Sequence, residues 1–350
     1  MARSGTVTGS TNNKRRAGPD RRGVSTSVAS VPYVVVVGGA NIDIKATIAG
    51  PTVPTTSNPG RAQVSLGGVG RNIAHNLARL GVATKLISAV GRDPEGERLL
   101  TETAAAGVDV AGVRRGPGST GLYSAVLDRS GELVIGVAAM EVIATITQRF
   151  LQRNQRTIAG ADFLVADCNL ERASLQWLQE CARQNNVPFL VEPVSAVKVE
   201  RLNAILRRGA AIHTVTPNLQ QLEVLTGHAL KSIEETQQAA KRLHDRGVLH
   251  VLVGLGPEGA LLSTIQGDEV QQHHIPAAQA EPADVTGGGD AHVAGYVAGL
   301  VGGMRPLQAA LLGQAAAGLA VGTTETVSSK MGMQAAMHGV SALKRRMKES

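Results

Sequence analysis

Aromatic side chains are nearly missing from these 350 residues, with one Trp, three Tyr and three Phe making up 2% of the chain. So few rings leave no stacking platform for single-stranded nucleic acid, and no nucleic-acid partner is expected. Cysteine is equally scarce. Cys168 and Cys181 form neither a zinc spacing nor a disulfide framework, and they fit a reducing compartment. No apolar run approaches the ~20 residues needed to span a bilayer, so a membrane partner is not expected. Residues 1–30 also lack the apolar centre of a secretory signal. Acid is almost absent from that stretch, where Asp20 stands alone against Arg3, Lys14, Arg15, Arg16, Arg21 and Arg22. Most of the +7 formal charge therefore belongs to a basic tail and not to the fold. The tail reads as a disordered extension of a cytoplasmic protein; an organelle transit segment or a nuclear signal are the alternatives.

What the chain does contain is a long alternation of apolar runs and amphipathic stretches. Tyr33–Val37 is a continuous β-branched run ending at Gly38-Gly39, the pattern of a buried parallel strand. Strands are predicted at Lys85–Val90, Phe163–Ala166, Phe189–Val191, Ile212–Val215 and Val251–Val253, with antiparallel strands at Ala260–Thr264 and Glu269–His274. Helices are predicted to Leu80 after Gly70, from Pro94 to Gly107, and over 171–185, 218–226, 232–245, 289–302, 305–321 and 333–347. Repeated strand–helix units predict an α/β fold with a doubly wound, mostly parallel sheet flanked by helices. Two excursions, about 43–66 and 120–137, carry strand-like alternation outside that pattern and suggest one small sheet. Residues 1–30 and 31–350 are thus expected to be tail and folded domain.

The stretch Asp284-Val285-Thr286-Gly287-Gly288-Gly289-Asp290-Ala291 carries the most chemistry. Gly287, Gly288 and Gly289 can present backbone N–H groups to one point, and a helix beginning there adds its unpaired N–H groups and dipole. That is an anion site suited to a phosphoryl group. Asp290 would repel the phosphate, unless it takes a proton from an attacking hydroxyl. The alternative is a helix N-cap made by Asp290. At the ligand edge of the first strand lie Asn41 and Asp43, a pairing suited to sugar hydroxyls, or to a polar turn. Thr216-Pro217-Asn218 lies between a strand and a helix that Asn218 could cap. His273 and His274 are neighbours on a strand, point to opposite faces, and cannot share a metal.

The sequence Thr286-Gly287-Gly288-Gly289-Asp290-Ala291 resembles the second signature of the ribokinase-like (PfkB) sugar and nucleoside kinases. Gly67-Gly68-Val69-Gly70-Arg71-Asn72-Ile73-Ala74 resembles their first. Within that family Asn58-Pro59-Gly60, Ala166-Asp167-Cys168-Asn169 and Pro193-Val194-Ser195-Ala196-Val197-Lys198 resemble the pseudouridine-kinase branch. The likeness extends from about Tyr33 to about Thr324.

The resemblance implies transfer of the ATP γ-phosphate to a nucleoside 5′-hydroxyl, with pseudouridine the first candidate. Ribose or another sugar is the alternative acceptor, and a nucleoside-binding homologue with weakened catalysis is a further one. It implies Asp290 as base and the N–H groups of Gly287, Gly288 and Gly289 as the anion hole. Asn41, Asp43, Gly67, Gly68 and Asn72 would hold the ribose, with Asn169 and Lys198 near the base. Asn218, Gly254, Gly256, Gly259 and Thr286 would serve ATP. Gln221 and Glu223 would handle magnesium through water, and Asp284 and Thr286 would border a monovalent cation such as potassium. The small sheet would be a lid over the sugar, and a homodimer would cover its edges. Five positions depart from the family's pattern. Gln221 replaces a Glu, Gly254 a Ser or Thr, Gly288 an Ala, Ala139 an Asp and Glu192 an Asp.

Overall fold

The computed structural model describes residue 9 and residues 31–207, 209–281 and 286–349. The chain divides into Met1–Val31, of which almost all lies outside the described residues, and Pro32–Ser350. The second unit begins with β1 (Tyr33–Val37), β2 (Asn41–Ile48), β3 (Gly60–Gly67), α1 (Val69–Arg79), β4 (Ala83–Ile87), β5 (Ala89–Val90) and α2 (Pro94–Ala105). It continues through β6 (Val108–Asp109), β7 (Arg114–Arg115), β8 (Gly121–Leu127), β9 (Leu133–Ala139), α3 (Gln148–Arg153), α4 (Gln155–Ala159), β10 (Phe163–Asp167) and α5 (Arg172–Gln184). Next come β11 (Phe189–Glu192), α6 (Val199–Asn203), β12 (Ile212–Val215), α7 (Leu219–Thr226), α8 (Ile233–Asp245) and β13 (Val248–Gly254). The hairpin β14 (Ala260–Gln266) and β15 (Glu269–Ile275) precedes α9 (Gly288–Val301), α10 (Pro306–Val321) and α11 (Met333–Glu349).

Nine strands form the main sheet in the order β15-β14-β13-β12-β11-β10-β1-β4-β6. All pairs from β6 to β13 are parallel, and only the β13-β14-β15 edge is antiparallel. The period of two explains why β1 is apolar throughout. Val34 and Val36 enter one core with Ile73, Leu77 and Tyr296, while Val35 and Val37 enter the other with Leu175, Leu178 and Leu243. Helices α1, α2 and α9–α11 cover the first face, and α3–α8 the second. Helices α9 and α10 approach closely because small residues meet: a Cβ on Gly295 would stand 2.8 Å from the Gly313 Cα.

The two excursions do join in one separate sheet, β3-β2-β8-β9, with β2 and β8 parallel and Asn41 opposite Gly121. Its register pairs Asn41 with Gly67 and Asp43 with Ser65, so the first glycine signature ends directly beside the polar pair. Local pattern fails at two kinds of place. The single strand expected over Lys85–Val90 is broken, because β4 belongs to the main sheet whereas β5 pairs β7. The short helices α3, α4 and α6 lack the length for a periodic signal. Among the described residues no helix is long and apolar enough to cross a membrane.

Candidate active site

The site grows from the carboxyl ends of the parallel strands. At the end of β10, fully buried Asp167 accepts the N–H groups of Gly39 and Gly70, both at 2.8 Å on Oδ2, and of Asn169 at 2.9 Å on Oδ1. One carboxylate thus ties the end of β1 and the start of α1 to the sheet. Burial pushes its pKa up while the three N–H groups oppose the rise. The close approach needs glycine, since a Cβ on Gly38 would overlap the Asp167 carboxylate and one on Gly70 would lie 2.8 Å from the Gly38 Cα. Sequence reading assigned Asp167 no role; the available signal was an acid closing an apolar strand.

The first glycine signature and the Asn41–Asp43 pair adjoin this floor. Asn41 is buried and donates through Nδ2 to Asp43 Oδ1 at 2.6 Å. Burial raises the pKa of Asp43, against the pull of Asn41, Arg71 and Lys45. Gly67 packs on the Asp43 carboxylate, which any Cβ would displace. Gly68 has φ 95° and lies against the backbone of Gly39 and Ala40, where only glycine fits. Arg71, also missed by the sequence reading, is buried and donates to the carbonyls of Leu66 (2.6 Å) and Gly67 (3.2 Å) and to Asn72 Oδ1. It thereby holds Asn72 so that its Nδ2 donates to Asp290 Oδ2 at 2.7 Å. Lys198 Nζ donates to Asn169 Oδ1, which brings those two candidates together, and burial lowers the Lys198 pKa.

At the second glycine signature, α9 starts at an N-cap that is Gly287 in a left-handed conformation (φ 80°), where a Cβ would overlap the Thr326 carbonyl. Asp290 is the third helical residue, and the capping alternative is set aside. The first intrahelical bond runs from Ala291 N–H to the Gly287 carbonyl at 3.0 Å. The N–H groups of Gly288, Gly289 and Asp290 therefore lie ahead of it at the helix's positive end. Burial pushes Asp290 up to about 7, with Asn72 and Arg71 opposing and Asp167 and Asp43 adding to the rise. A cleft of about 230 Å³ joins Gly287, Gly289 and Asp290 to Glu192, Asn218, Gln221 and Gly254. It adjoins a larger cavity of about 560 Å³ that Asn218, Gly254, Gly256, Gly259, Gly288 and Gly289 also border. Small residues (Ala277, Ala278, Ala280, Ala317 and Gly318) line much of the remainder, with Pro257, His292, Gln314 and Val321. The small sheet reaches this region through Lys45 Nζ, which donates to Thr286 Oγ1 at 2.6 Å, and through Thr326 Oγ1, which donates to Ser65 Oγ at 3.3 Å.

A hard divalent cation needs oxygen ligands, chiefly carboxylates and water. Gln221 and Asn218 instead close a capping box: Gln221 Oε1 accepts the Asn218 N–H at 2.9 Å, and Asn218 Oδ1 accepts the Gln221 N–H at 2.8 Å. Glu223 turns to the other end of α7, where Oε1 accepts the Leu230 N–H at 2.8 Å, and it does not border the cleft. Gln221 thus borders the cleft with an amide where a carboxylate was the family's pattern, and Glu223 lies away from it. Glu192 and Asp290 do border the cleft as carboxyl groups, and burial with the neighbouring charges of Asp290 and Asp167 raises Glu192 well above the ordinary range. Glu192 Oε2 accepts the Val194 N–H at 2.7 Å and so holds Val194 at φ 68°, a costly conformation for a β-branched residue. Two residues were expected to border a monovalent cation. Asp284 lies outside the described residues, and Thr286 already receives the Lys45 ammonium.

Comparison with known proteins agrees with this geometry. The pfkB family carbohydrate kinase pattern matches residues 31–331. The pseudouridine kinase of Escherichia coli K12 is 37% identical over 273 residues, covering 78% of this chain and 85% of that protein. A carbohydrate kinase from Agrobacterium tumefaciens superposes with a TM-score of 0.75 at 30% identity, covering 89% of this chain and 98% of its own. The Arabidopsis thaliana ribokinase complexed with ribose and ATP shares the fold at a TM-score of 0.73 and 24% identity, with coverages of 89% and 99%. With two glycine signatures facing one half-buried aspartate across a ribokinase-like sheet, this chain belongs to the pfkB family of carbohydrate kinases, phosphotransferases that act on an alcohol group.

Proposed function

We propose that the protein transfers the γ-phosphoryl group of ATP to the 5′-hydroxyl of a nucleoside, and that the nucleoside is pseudouridine. The observation that carries this reading is Asp290, a carboxyl poised near neutrality, held by Asn72 on the acceptor side and placed beside three helix-terminal N–H groups on the other. A base needs a pKa near the working pH, and burial supplies it. Asp290 takes the proton of the 5′-hydroxyl as its oxygen bonds to the γ-phosphorus. The bond from that phosphorus to the β–γ bridging oxygen breaks, and ADP leaves with the electron pair. The N–H groups of Gly288, Gly289 and Asp290 hold the charge on the equatorial oxygens. Magnesium, held through Glu192 and Asp290 by way of water, would neutralise charge on the β- and γ-phosphates.

Asn41 and Asp43 hold the ribose hydroxyls, and Asn169 with Lys198 faces the base. The larger cavity takes the adenosine of ATP, with Gly254, Gly256 and Gly259 giving it backbone access. The small sheet acts as a lid. Leu133, Val134, Ile135 and Val137 are all exposed on its edge strand β9, which supports a homodimer that covers them. The pseudouridine assignment rests on the 37% identity to the E. coli enzyme and on Pro193–Lys198, where Glu192, Val194 and Lys198 are all tied into the site. A phosphorylation screen with ATP over pseudouridine, uridine, adenosine, ribose and fructose 6-phosphate tests it. Pseudouridine should show the highest kcat/KM, and a higher value for ribose or adenosine would refute the assignment.

A further inference from the structure

His292 is the second residue after Asp290, on the first turns of α9, and is 9% exposed. Its ring lies against α10, where a Cβ on Gly313 would stand 2.6 Å from Cδ2 and 3.2 Å from Nε2. Nε2 is enclosed and has no hydrogen-bond partner among the described residues. The neutral imidazole, the ordinary form at physiological pH, carries one N–H. An enclosed N–H without an acceptor is among the rarest of native features, whereas a bare lone pair is better tolerated. The proton therefore sits on Nδ1. That nitrogen makes no hydrogen bond to the described residues and is not enclosed, so it keeps access to the space that the residue borders.

That space is the junction of the two cavities. His292, Asn218, Gly254 and Gly289 border both of them. Gly254 and Gly289 have no side chain, and Asn218 Oδ1 is committed to the capping box. His292 is thus the side chain at the junction whose polar atoms have no partner within the fold. An apolar ring of the same size would fill this place without leaving a polar nitrogen unsatisfied. A donor kept at Nδ1, facing the junction with no acceptor in the fold, points to a ligand.

We propose that His292 is a nucleotide-binding residue, its neutral imidazole donating from Nδ1 to a polyphosphate oxygen of the bound nucleoside triphosphate where the chain of phosphates passes from the larger cavity into the phosphate cleft. This rests on the kinase reading and adds to it a contact from the face opposite β13. A partner with an anionic oxygen suits a donor in a dry site, because hydrogen bonds to charged acceptors are the stronger ones. The contact belongs to the phosphate donor and not to the nucleoside acceptor, since none of Asn41, Asp43 or Lys198 borders either cavity.

The test is calorimetric binding of the non-hydrolysable triphosphate AMP-PNP, with magnesium, to the full chain, beside pseudouridine binding to the same preparation. His292→Phe should weaken AMP-PNP binding about 10- to 100-fold, the loss of one hydrogen bond to a charged acceptor. Pseudouridine affinity should stay within about twofold, and melting should be unchanged or higher because an unsatisfied nitrogen has gone. If Phe is too long against Gly313, His292→Leu carries the same comparison. Gly254→Ser in the His292→Phe background should recover part of the affinity, because a Cβ there meets nothing within 4 Å and borders the same junction. AMP-PNP binding equal to wild type in both His292 variants overturns the inference and leaves the kinase reading standing. A wild-type protein that binds no AMP-PNP overturns the kinase reading, and this inference with it.

Discussion

Replacing Asp290 with asparagine removes a charge from the site and little else. The carboxamide oxygen can still accept from Asn72 Nδ2, now 2.7 Å from Oδ2, and Gly287 rather than Asp290 caps α9. Burial lifts the Asp290 pKa from 3.8 to about 7. At 1.36 kcal/mol per tenfold change in proton affinity, that rise corresponds to roughly 4 kcal/mol. The folded protein binds this proton more tightly than the unfolded chain. Its contribution to stability is therefore complete below about pH 4 and is lost as pH rises through about 7. Asparagine never ionises. Measured against the gap at pH 5, the variant should gain on wild type by up to about 3 kcal/mol at pH 8.5 before local relaxation, because about two pH units of that window lie above pH 5. Turnover should move the other way, falling about 10²–10⁴-fold with nucleoside binding retained. In the wild type, kcat/KM should fall about tenfold per pH unit below about 7, where the carboxyl holds its proton. The assay pairs kcat with denaturation curves at pH 5 and 8.5 on one preparation. Wild-type turnover in the variant, or a variant that gains no stability on wild type between pH 5 and 8.5, would refute the general-base argument.

Gly67→Ala should raise KM for the nucleoside about tenfold or more and leave KM for ATP unchanged, because its Cβ displaces the Asp43 carboxylate, the movable end of a side chain; steady-state kinetics in both substrates checks the split. Asp167→Ala should cost about 3 kcal/mol or more in urea denaturation, since it strands the N–H groups of Gly39, Gly70 and Asn169. A loss below 1 kcal/mol would mean that water replaces the carboxylate. Gln221→Glu keeps an acceptor for the Asn218 N–H and adds a second anionic oxygen at the cleft, so the magnesium concentration for half-maximal activity should fall. An unchanged titration would show that magnesium does not reach residue 221.

The sequence by itself determined the scaffold. The β-branched run Tyr33–Val37 could only be a strand buried on both faces, and Ile73, Leu77 and Leu80 could only be one face of a helix, because period and polarity are local properties. The two glycine signatures were legible for the same reason: backbone that must pass close to other atoms excludes side chains wherever it occurs. Tertiary structure decided what those pieces do to one another. Asn72 and Asp290 are 218 residues apart, and Gly70 and Asp167 are 97 apart; no periodicity links such pairs. Whether Asp290 caps a helix or waits beside a cleft depended on where α9 begins. Gln221 and Glu223 are next-but-one neighbours in sequence, yet one closes a capping box and the other bonds Leu230 away from the cleft. The rise of Asp290 to about 7 is the clearest case, since desolvation is summed over every element packed around a carboxyl and belongs to no stretch of sequence.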